Sequence, residues 1–231
     1  MADKKTKKFY FSLVEIIIFT LSVSLILLSF FLFSGEDYLS LFTSILGVLS
    51  LLLCAKGNPI GQMLVIVFGI VYAYISFSFS YYGEVITYAF MTVPMAVLSL
   101  VSWLKNPYKD NHIEVEVSRV SKKEIPLLFA LAVCVTGIMF LALWAFGTAN
   151  LLVSTVSVFT SFIAVYLTYR RSPYFALAYA VNDIVLVVLW TLASIEDSSY
   201  VAVVTCFGVF FINDIYGFIN WKRMEKRQAK S

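Results

Sequence analysis

Charged residues are scarce in this sequence: they make up 13% of its 231 residues, whereas 61% are hydrophobic. A water-soluble domain of this length needs much more polar surface, because its outer face contacts water. We therefore expect lipid to be the solvent for most of the surface. The net charge of +3 is small, and the basic residues lie in loops between apolar runs, so nucleic acid is not an expected partner.

Residues that commonly carry metals or catalysis are also few. The one histidine, His112, lies in a charged loop, and the cysteines Cys54, Cys134 and Cys206 each lie inside an apolar run without metal or redox spacing. The sequence has no Walker loop, dinucleotide fingerprint or Gly-x-Ser-x-Gly motif. We therefore expect no catalytic residues, no metal and no cofactor, and we do not expect an enzyme.

What the sequence has in abundance is long apolar runs of the length that crosses a bilayer, roughly 20 residues. We predict eight transmembrane helices, over residues 9–33, 39–55, 60–79, 85–104, 125–146, 150–169, 173–195 and 199–221. Pro59, Pro126 and Pro173 each fall at a predicted helix start, where a missing N–H costs nothing. The first apolar run is too long for the core of a signal peptide.

Lysine and arginine fall on one side of the predicted bundle only. When the loops and tails are assigned to alternate sides, all 17 of these residues lie on the side that holds both termini. The opposite side carries the acidic residues Glu36, Asp37, Glu84, Glu196 and Asp197. Because basic loops face the cytoplasm, we predict a multi-pass protein of the cell membrane with a cytoplasmic N terminus and C terminus.

The two halves of the chain repeat each other weakly. Offsets of 114 and 118 residues match Lys56 with Arg170, Pro59 with Pro173, and Trp103 with Trp221. The offset spans four helices, an even number, so the copies run parallel through the membrane, as in SWEET-type transporters.

This repeat predicts one all-α integral membrane domain, 1–231, with a 3-1-3 arrangement of three-helix repeats and a linker helix. The parts are an extra N-terminal helix 9–33, a first repeat 39–104, a cytoplasmic loop 105–124, a linker helix 125–146, a second repeat 150–221 and a basic tail 222–231. Repeat transporters bind their substrate between the repeats, near the bilayer midplane.

Carboxylates inside the predicted spans suggest a polar path, because an ionisable group in hydrocarbon costs at least ~2.5 kcal/mol. Glu15 is close enough to the cytoplasmic end, and to Lys7 and Lys8, for us to interpret it as interfacial. Asp183 lies deeper, ~15 Å from the cytoplasmic end of its helix, and Asp214 lies ~11–12 Å from the end of the next.

Each of these aspartates follows an asparagine, in the pairs Asn182-Asp183 and Asn213-Asp214. Hydrogen bonding between helices explains such residues in part. With no lysine or arginine inside the spans, a water-filled path, a cationic substrate or a shared proton explains them better.

Aromatic residues occur at the same level of the bundle. Trp190 is seven residues after Asp183, on the same helical face, and Tyr179 is one turn before it. Tyr72 and Tyr216 are further candidates for the path, and core packing would also explain them. We interpret Trp103 and Trp221 as boundary anchors or core packing.

Two further residues are candidates for the path. Gln62 is a candidate for substrate binding, although a solvated helix end would also explain it. Pro94 interrupts the fourth helix, and a proline in mid-span makes a bend of the kind found where a helix moves.

At these residues the chain resembles the PnuC family of vitamin transporters. The resemblance lies in Asn58-Pro59-Ile60-Gly61, Tyr72-Ala73-Tyr74-Ile75-Ser76, Tyr82-Gly83-Glu84, Pro94-Met95, Trp103, the Asn182 region, Trp190 and Tyr216-Gly217-Phe218-Ile219-Asn220-Trp221. It implies a 3-1-3 core, a homotrimer, and uptake of nicotinamide riboside by facilitated diffusion with trapping by cytoplasmic phosphorylation.

The sequence departs from the family pattern at one point. The binding helix of the family usually carries an asparagine and paired tryptophans, whereas Trp190 is the single tryptophan of the seventh predicted helix here. Thiamine and riboflavin, carried by relatives, are therefore also candidate substrates. Nicotinamide riboside and thiamine contain an aromatic cation that suits a carboxylate and an aromatic face, so they rank ahead of neutral riboflavin. A SWEET-like sugar carrier, a proton-coupled carrier or an assembly protein would also be compatible with the sequence.

Overall fold

The computed structural model describes residues 10–35, 37–78, 82–109, 111–148 and 150–230. Glu36 and the lysines of the N-terminal tail, which are Lys4, Lys5, Lys7 and Lys8, lie outside these ranges. Eight described helices are long and apolar enough to cross a membrane, so the predicted all-α membrane fold is confirmed.

The described elements follow one another with short connections. Their bounds are α1 Leu13–Ser29 with a π-helical end Phe30–Ser34, α2 Tyr38–Ala55, α3 Pro59–Ser78, α4 Tyr82–Thr87, a π-helical turn Tyr88–Thr92, α5 Val93–Lys105, β1 Pro107–Tyr108, β2 Asn111–Val115, α6 Ile125–Ala145, α7 Leu151–Tyr169, α8 Phe175–Ser194, a 3-10 turn Ser198–Tyr200 and α9 Val201–Gln228.

The structure adds detail to two predicted segments and moves one predicted helix start. The tail 222–231 is mostly helical, because α9 continues to Gln228 and Lys222 forms an ion pair with Glu225 one turn later at 2.5 Å. The loop 105–124 contains the antiparallel hairpin β1–β2. The fourth helix begins at Tyr82 and not at residue 85, so Glu84 lies in its first turn.

Six spans form a closed ring around the centre of the bundle. Going around the ring, α2 contacts α3, α3 contacts α5, α5 contacts α7, α7 contacts α8, α8 contacts α9, and α9 returns to α2. The first three of these helices belong to the first predicted repeat and the last three to the second. The space between the repeats is therefore the middle of the ring, where a substrate path was predicted.

The helices α1 and α6 lie outside the ring in equivalent positions. The first packs against α2 and α9, and the second packs against α7 and α4. Lys56 donates to the Glu15 carboxylate of α1 at 3.1 Å, and Arg170 donates to Glu124, before α6, at 3.0 Å. Glu15 lies in the first turn of α1, at the end of the bundle that also holds Lys56, and it is buried in this contact.

The internal repeat extends to individual hydrogen bonds. Trp103 Nε1 donates to the main-chain oxygen of Thr168 at 2.9 Å, and Trp221 Nε1 donates to that of Cys54 at 2.8 Å. These pairs are related by the same offsets that match the two halves of the sequence. Each repeat therefore supplies an indole that bonds to the other repeat.

Candidate functional site

A central cavity of about 80 Å³ lies between the two repeats. Its lining includes Gln62, Tyr179, Asn182, Asp183 and Asp214. The side chains of the two aspartates, on the adjacent helices α8 and α9, line this cavity together and interact electrostatically. Two neighbouring carboxyl groups in a buried site disfavour double ionisation, so the pair favours a state with one proton and one negative charge.

The two asparagines have different environments. The hydroxyls of Thr160 and Ser161 donate to Asn182 Oδ1 at 2.7 and 2.9 Å, which fixes this amide at the central cavity. Asn213 Nδ2 donates to Ser22 Oγ of α1 at 3.0 Å. Asn213 lines neither the central cavity nor the two larger ones nearer the bundle end, so its contact joins α9 to the outer helix α1.

Gln62 and Tyr179 complete the polar wall of the central cavity. Gln62 is only 3% exposed, and its Nε2 atom donates to Cys54 Sγ at 3.2 Å, so the interpretation as a solvated helix end is wrong. The ring of Tyr179 packs edge-on against that of Phe175, with centroids 6.3 Å apart. Both side chains are therefore held in place by neighbours in the same repeat.

Two larger cavities open near the end of the bundle that carries Asp37, Glu196 and Asp197, which we call the acidic end. Cavity A, of about 460 Å³, is lined by the end of α1 and by α2, α3 and α9. Cavity B, of about 260 Å³, is lined by α4, α7, α8 and the segment after α6. The side chains of Trp190 and Tyr200 line both cavities, with ring centroids 5.5 Å apart.

An aromatic layer separates these outer cavities from the central one. Tyr72 and Trp190 both line cavity A. The ring of Tyr72 lies 4.5 Å from that of Tyr88, which lines the central cavity. Phe68 and Phe207 line both cavity A and the central cavity. Movement of these side chains would join the two spaces.

A second aromatic layer closes the central cavity on the opposite side, which we call the basic end because Lys56, Lys105 and Arg170 lie there. Trp103 and Trp221 are fully buried, with ring centroids 5.4 Å apart. Phe175 packs edge-on against Trp221 at 4.8 Å. These tryptophans are core packing and not boundary anchors, because they face each other and not lipid.

The segment from the last residue of β2, Val115, to Ser118 crosses the basic end beneath this layer. The Val115 N–H donates to the Gly57 carbonyl at 2.9 Å, and the Ser118 N–H donates to the Arg171 carbonyl at 3.0 Å. Gly57 and Arg171 are equivalent turn residues of the two repeats, and both have a positive φ, of 67° and 55°. The crossing segment therefore links the two repeats.

Tyr216 and Pro94 lie away from the three cavities. The Tyr216 hydroxyl donates to Glu15 Oε1 at 2.9 Å, next to Lys56. Pro94 faces outward and follows the π-helical turn, in which the Val93 N–H donates to the Tyr88 carbonyl. This irregular turn carries Tyr88 to the central cavity.

Glu84 is the residue that sequence reasoning missed. It was expected in a loop, but it lies in the first turn of α4, is 6% exposed and lines cavity B. Its Oε2 atom is buried without a hydrogen-bond partner among the described residues. Its presence in the resembling Tyr82-Gly83-Glu84 stretch was the available signal.

The electrostatic character of all three cavities is acidic. Asp37 lines cavity A, Glu84 and Glu196 line cavity B, and no lysine or arginine is among the described residues that line any of the three. At the acidic end, the Ser199 N–H donates to Asp197 at 2.9 Å and lowers the pKa of that carboxyl, so it stays ionised at neutral pH. The path therefore favours cations over anions.

Comparisons with known proteins agree with this arrangement. The family model described as nicotinamide mononucleotide transporter matches residues 37–223. The nicotinamide riboside transporter PnuC of Neisseria mucosa is 24% identical over 204 residues, which cover 86% of this chain and 77% of that protein. The crystal structure of the vitamin B3 transporter PnuC has the same fold, with a TM-score of 0.81, 21% identity and 94% of each chain covered. Since the family model spans most of the sequence, the chain belongs to the nicotinamide mononucleotide transporter family and is a membrane transporter.

Proposed function

We propose that the chain transports nicotinamide riboside through the centre of the helix ring. The observation that carries this proposal is the pairing of Asp183 with Asp214 in a central cavity that no described lysine or arginine lines. A buried carboxyl pair with one proton leaves one negative charge for a cationic ligand. The pyridinium ring of nicotinamide riboside provides that positive charge, and nearby aromatic faces favour it further.

The charge of the path favours the riboside over its 5′-phosphate, nicotinamide mononucleotide. A phosphate group would bring about two negative charges at neutral pH. Phosphate sites are usually built from arginine, lysine or a helix N-terminus. The carboxyl groups of Glu84, Asp183 and Asp214 offer the opposite environment, so the name of the family model is a less suitable guide to the substrate than the chemistry of the cavities.

Other vitamins rank lower for the same reason. Thiamine also contains an aromatic cation and is the second candidate, whereas neutral riboflavin would gain no attraction from the aspartates. A sugar would gain hydrogen bonds from Gln62 and Asn182 but nothing from the charge. The order of preference is therefore nicotinamide riboside, thiamine and riboflavin, followed by a sugar.

The transport step that we propose is facilitated diffusion with alternating access. The outer cavities open near the acidic end, while Trp103 and Trp221 close the basic end, as expected of an outward-facing state. Separation of these tryptophans would open the other side, with the bend before Pro94 as a hinge. Phosphorylation of the riboside in the cytoplasm would trap it, because the product is an anion and the carboxylate-lined path disfavours its return.

Individual residues have different proposed roles. Gln62, Tyr179, Asn182, Asp183 and Asp214 would contact the substrate, since all five line the central cavity. Tyr72 and Trp190 would stack on the aromatic ring as it leaves the outer cavities. Asn213 and Tyr216 would act as positioning residues, because their hydrogen bonds join α9 to α1.

The location and assembly are further parts of the proposal. The positive-inside rule, applied to the basic end, supports a cell-membrane protein with both termini in the cytoplasm. We also propose a homotrimer, whose contacts would use part of the apolar outer surface that otherwise faces lipid. Trp144, Ile138 and Leu141 of α6 belong to that surface. Native mass spectrometry of the protein in detergent tests the trimer by its mass.

Titration calorimetry on the purified protein tests the substrate. We expect saturable heat with nicotinamide riboside and at least tenfold weaker binding of nicotinamide mononucleotide, thiamine and riboflavin, a difference of about 1.4 kcal/mol or more. Folded protein that binds the mononucleotide as tightly as the riboside would contradict the charge argument. Tightest binding of thiamine would retain that argument but change the substrate.

A further inference from the structure

Glu84 is an acidic residue of the first repeat that is buried at a cavity near the acidic end. Its side chain is 6% exposed and lines cavity B, and its Oε2 atom has no hydrogen-bond partner in the described ranges. A buried carboxylate without a partner is costly in a membrane protein, so its presence needs a reason. No hydrogen bond or ion pair of the described residues supplies that reason.

Other buried glutamates of this protein have partners that account for them. Glu15 accepts from Lys56 at 3.1 Å and from Tyr216 at 2.9 Å. Glu225 pairs with Lys222 at 2.5 Å and Arg119 at 2.7 Å. Glu84 therefore differs from Glu15 and Glu225, because it forms no ion pair with a positively charged side chain of the described residues.

The walls of cavity B suit a flat aromatic cation. The rings of Tyr82 and Phe146 lie 6.1 Å apart on one side, and those of Trp190 and Tyr200 lie 5.5 Å apart on another. Its volume of about 260 Å³ is close to the lower end of small-molecule sites, ~300 Å³. The Thr148 Oγ1 atom is also buried without a partner among the described residues, so a polar substituent of a ligand has a group to meet.

We propose that cavity B is a second substrate site, in which Glu84 is the counter-ion of an aromatic cation before that cation reaches the central cavity. The inference rests on the proposed function, because it takes the substrate to be a cationic nucleoside. Both repeats contribute to this site, since α4 brings Glu84 and α8 brings Trp190. The first repeat thus supplies the outer carboxylate and the second repeat supplies the inner pair.

The two carboxylate sites are close enough to hand over a cation. Tyr88 lines the central cavity together with Asp183, and it follows Glu84 by one turn in the same span. Trp190 borders cavities A and B, and Tyr72, which also lines cavity A, packs against Tyr88. A single aromatic layer therefore separates the outer site from the inner one.

The test compares nicotinamide riboside with its uncharged reduced form, dihydronicotinamide riboside, in proteoliposome uptake. In Glu84→Gln, which keeps the shape but removes the charge, we expect KM for the cation to rise about tenfold and KM for the neutral form to change less than about twofold. Glu84→Asp should recover most of the affinity for the cation. An unchanged ratio of the two KM values, or an equal rise in both, would overturn the proposal.

Matched controls separate this site from general electrostatics and from misfolding. Asp197→Asn removes one exposed charge from the same end and keeps the acceptor for the Ser199 N–H, so it should leave both KM values unchanged. If Glu84→Gln does not fold, Ala193→Leu fills cavity B without a change of charge. A raised KM for the riboside in Ala193→Leu supports the site, and an unchanged KM overturns it.

Failure of this inference differs from failure of the proposed function. Wild-type protein that does not transport the riboside at all removes the proposed substrate. Wild-type protein that transports it, together with a Glu84→Gln variant that has wild-type KM values, removes only the second site.

Discussion

Trp103 and Trp221 meet between the two repeats with ring centroids 5.4 Å apart, and each indole donates to a main-chain oxygen of the opposite repeat. The pair therefore combines apolar packing with two hydrogen bonds across one interface. Both contacts must break if the repeats separate at the basic end.

Substitution of either tryptophan should separate these two contributions. Trp221→Phe keeps most of the packing and loses one hydrogen bond, which should cost about 1 kcal/mol. Trp221→Ala also leaves a cavity, which should cost about 3–5 kcal/mol. Thermal unfolding of the purified variants measures both losses of stability. The Phe and Ala variants of Trp103 should lose similar amounts, because the contacts of Trp103 are equivalent. Equal effects of the Phe and Ala variants would contradict this account.

Opening of the basic end should be detectable at Cys54. This thiol is buried next to the central cavity, and the carbonyl of the same residue accepts from Trp221. We expect a membrane-impermeant thiol reagent added at the basic end to label Cys54 slowly in a Cys134→Ser, Cys206→Ser background and faster in the same background with Trp221→Ala. A labelling rate that does not change would mean that the tryptophans are not the closing layer.

Removal of charge from the central cavity should weaken binding of cations selectively. In Asp183→Asn alone, Asp214 remains able to carry the charge, so the effect should be small. The double variant Asp183→Asn, Asp214→Asn should bind nicotinamide riboside at least about tenfold more weakly, equivalent to ~1.4 kcal/mol. Its affinity for dihydronicotinamide riboside, measured by calorimetry, should stay near the wild-type value. A parallel loss for both ligands would indicate distortion of the cavity and not loss of charge.

The outer helix α1 should depend on the ion pair between Glu15 and Lys56. Glu15→Gln leaves Lys56 without its partner and should lower stability by about 1–3 kcal/mol in thermal unfolding. Glu124→Gln is the matched control at the equivalent pair with Arg170, which is more exposed and should cost less. A larger loss in Glu124→Gln would contradict the link between burial and stabilisation.

The bend before Pro94 should affect movement more than binding. Pro94→Ala restores a backbone N–H and favours a regular helix in place of the π-helical turn. We expect the maximal uptake rate in proteoliposomes to fall several-fold while the dissociation constant from calorimetry stays unchanged. A wild-type uptake rate in this variant would remove Pro94 as a hinge.

The sequence predicts the transmembrane helices and their order, because each helix has a strong local signal. Apolar runs between charged loops define helices, and the matched positions of Trp103 and Trp221 indicated a repeat before any contact was known. The contact between these two residues was not predictable, because a sequence offset gives equivalence but not proximity. Asp183 and Asp214 were recognisable as unusual, since acids inside apolar runs are rare.

The burial of Glu84 and Gln62 could not be predicted from sequence patterns. Both lie within a turn of a helix start, where sequence cannot distinguish a solvated end from a buried one. Packing decides this: α4 packs against α6, and Gln62 bonds to Cys54 of α2 beside the central cavity. The extension of α9 to Gln228 was not predicted, because a run of charged residues is typical of a solvated tail. In the structure, Glu225 forms ion pairs with Lys222 and Arg119, and these pairs stabilise the helix.

The most direct test of a cation path between the repeats is uptake of labelled nicotinamide riboside by proteoliposomes that contain the purified protein. The account predicts saturable uptake down a concentration gradient without ATP, and weak competition from nicotinamide mononucleotide. Equal transport of the anionic mononucleotide, or no uptake of the riboside by folded protein, would contradict it.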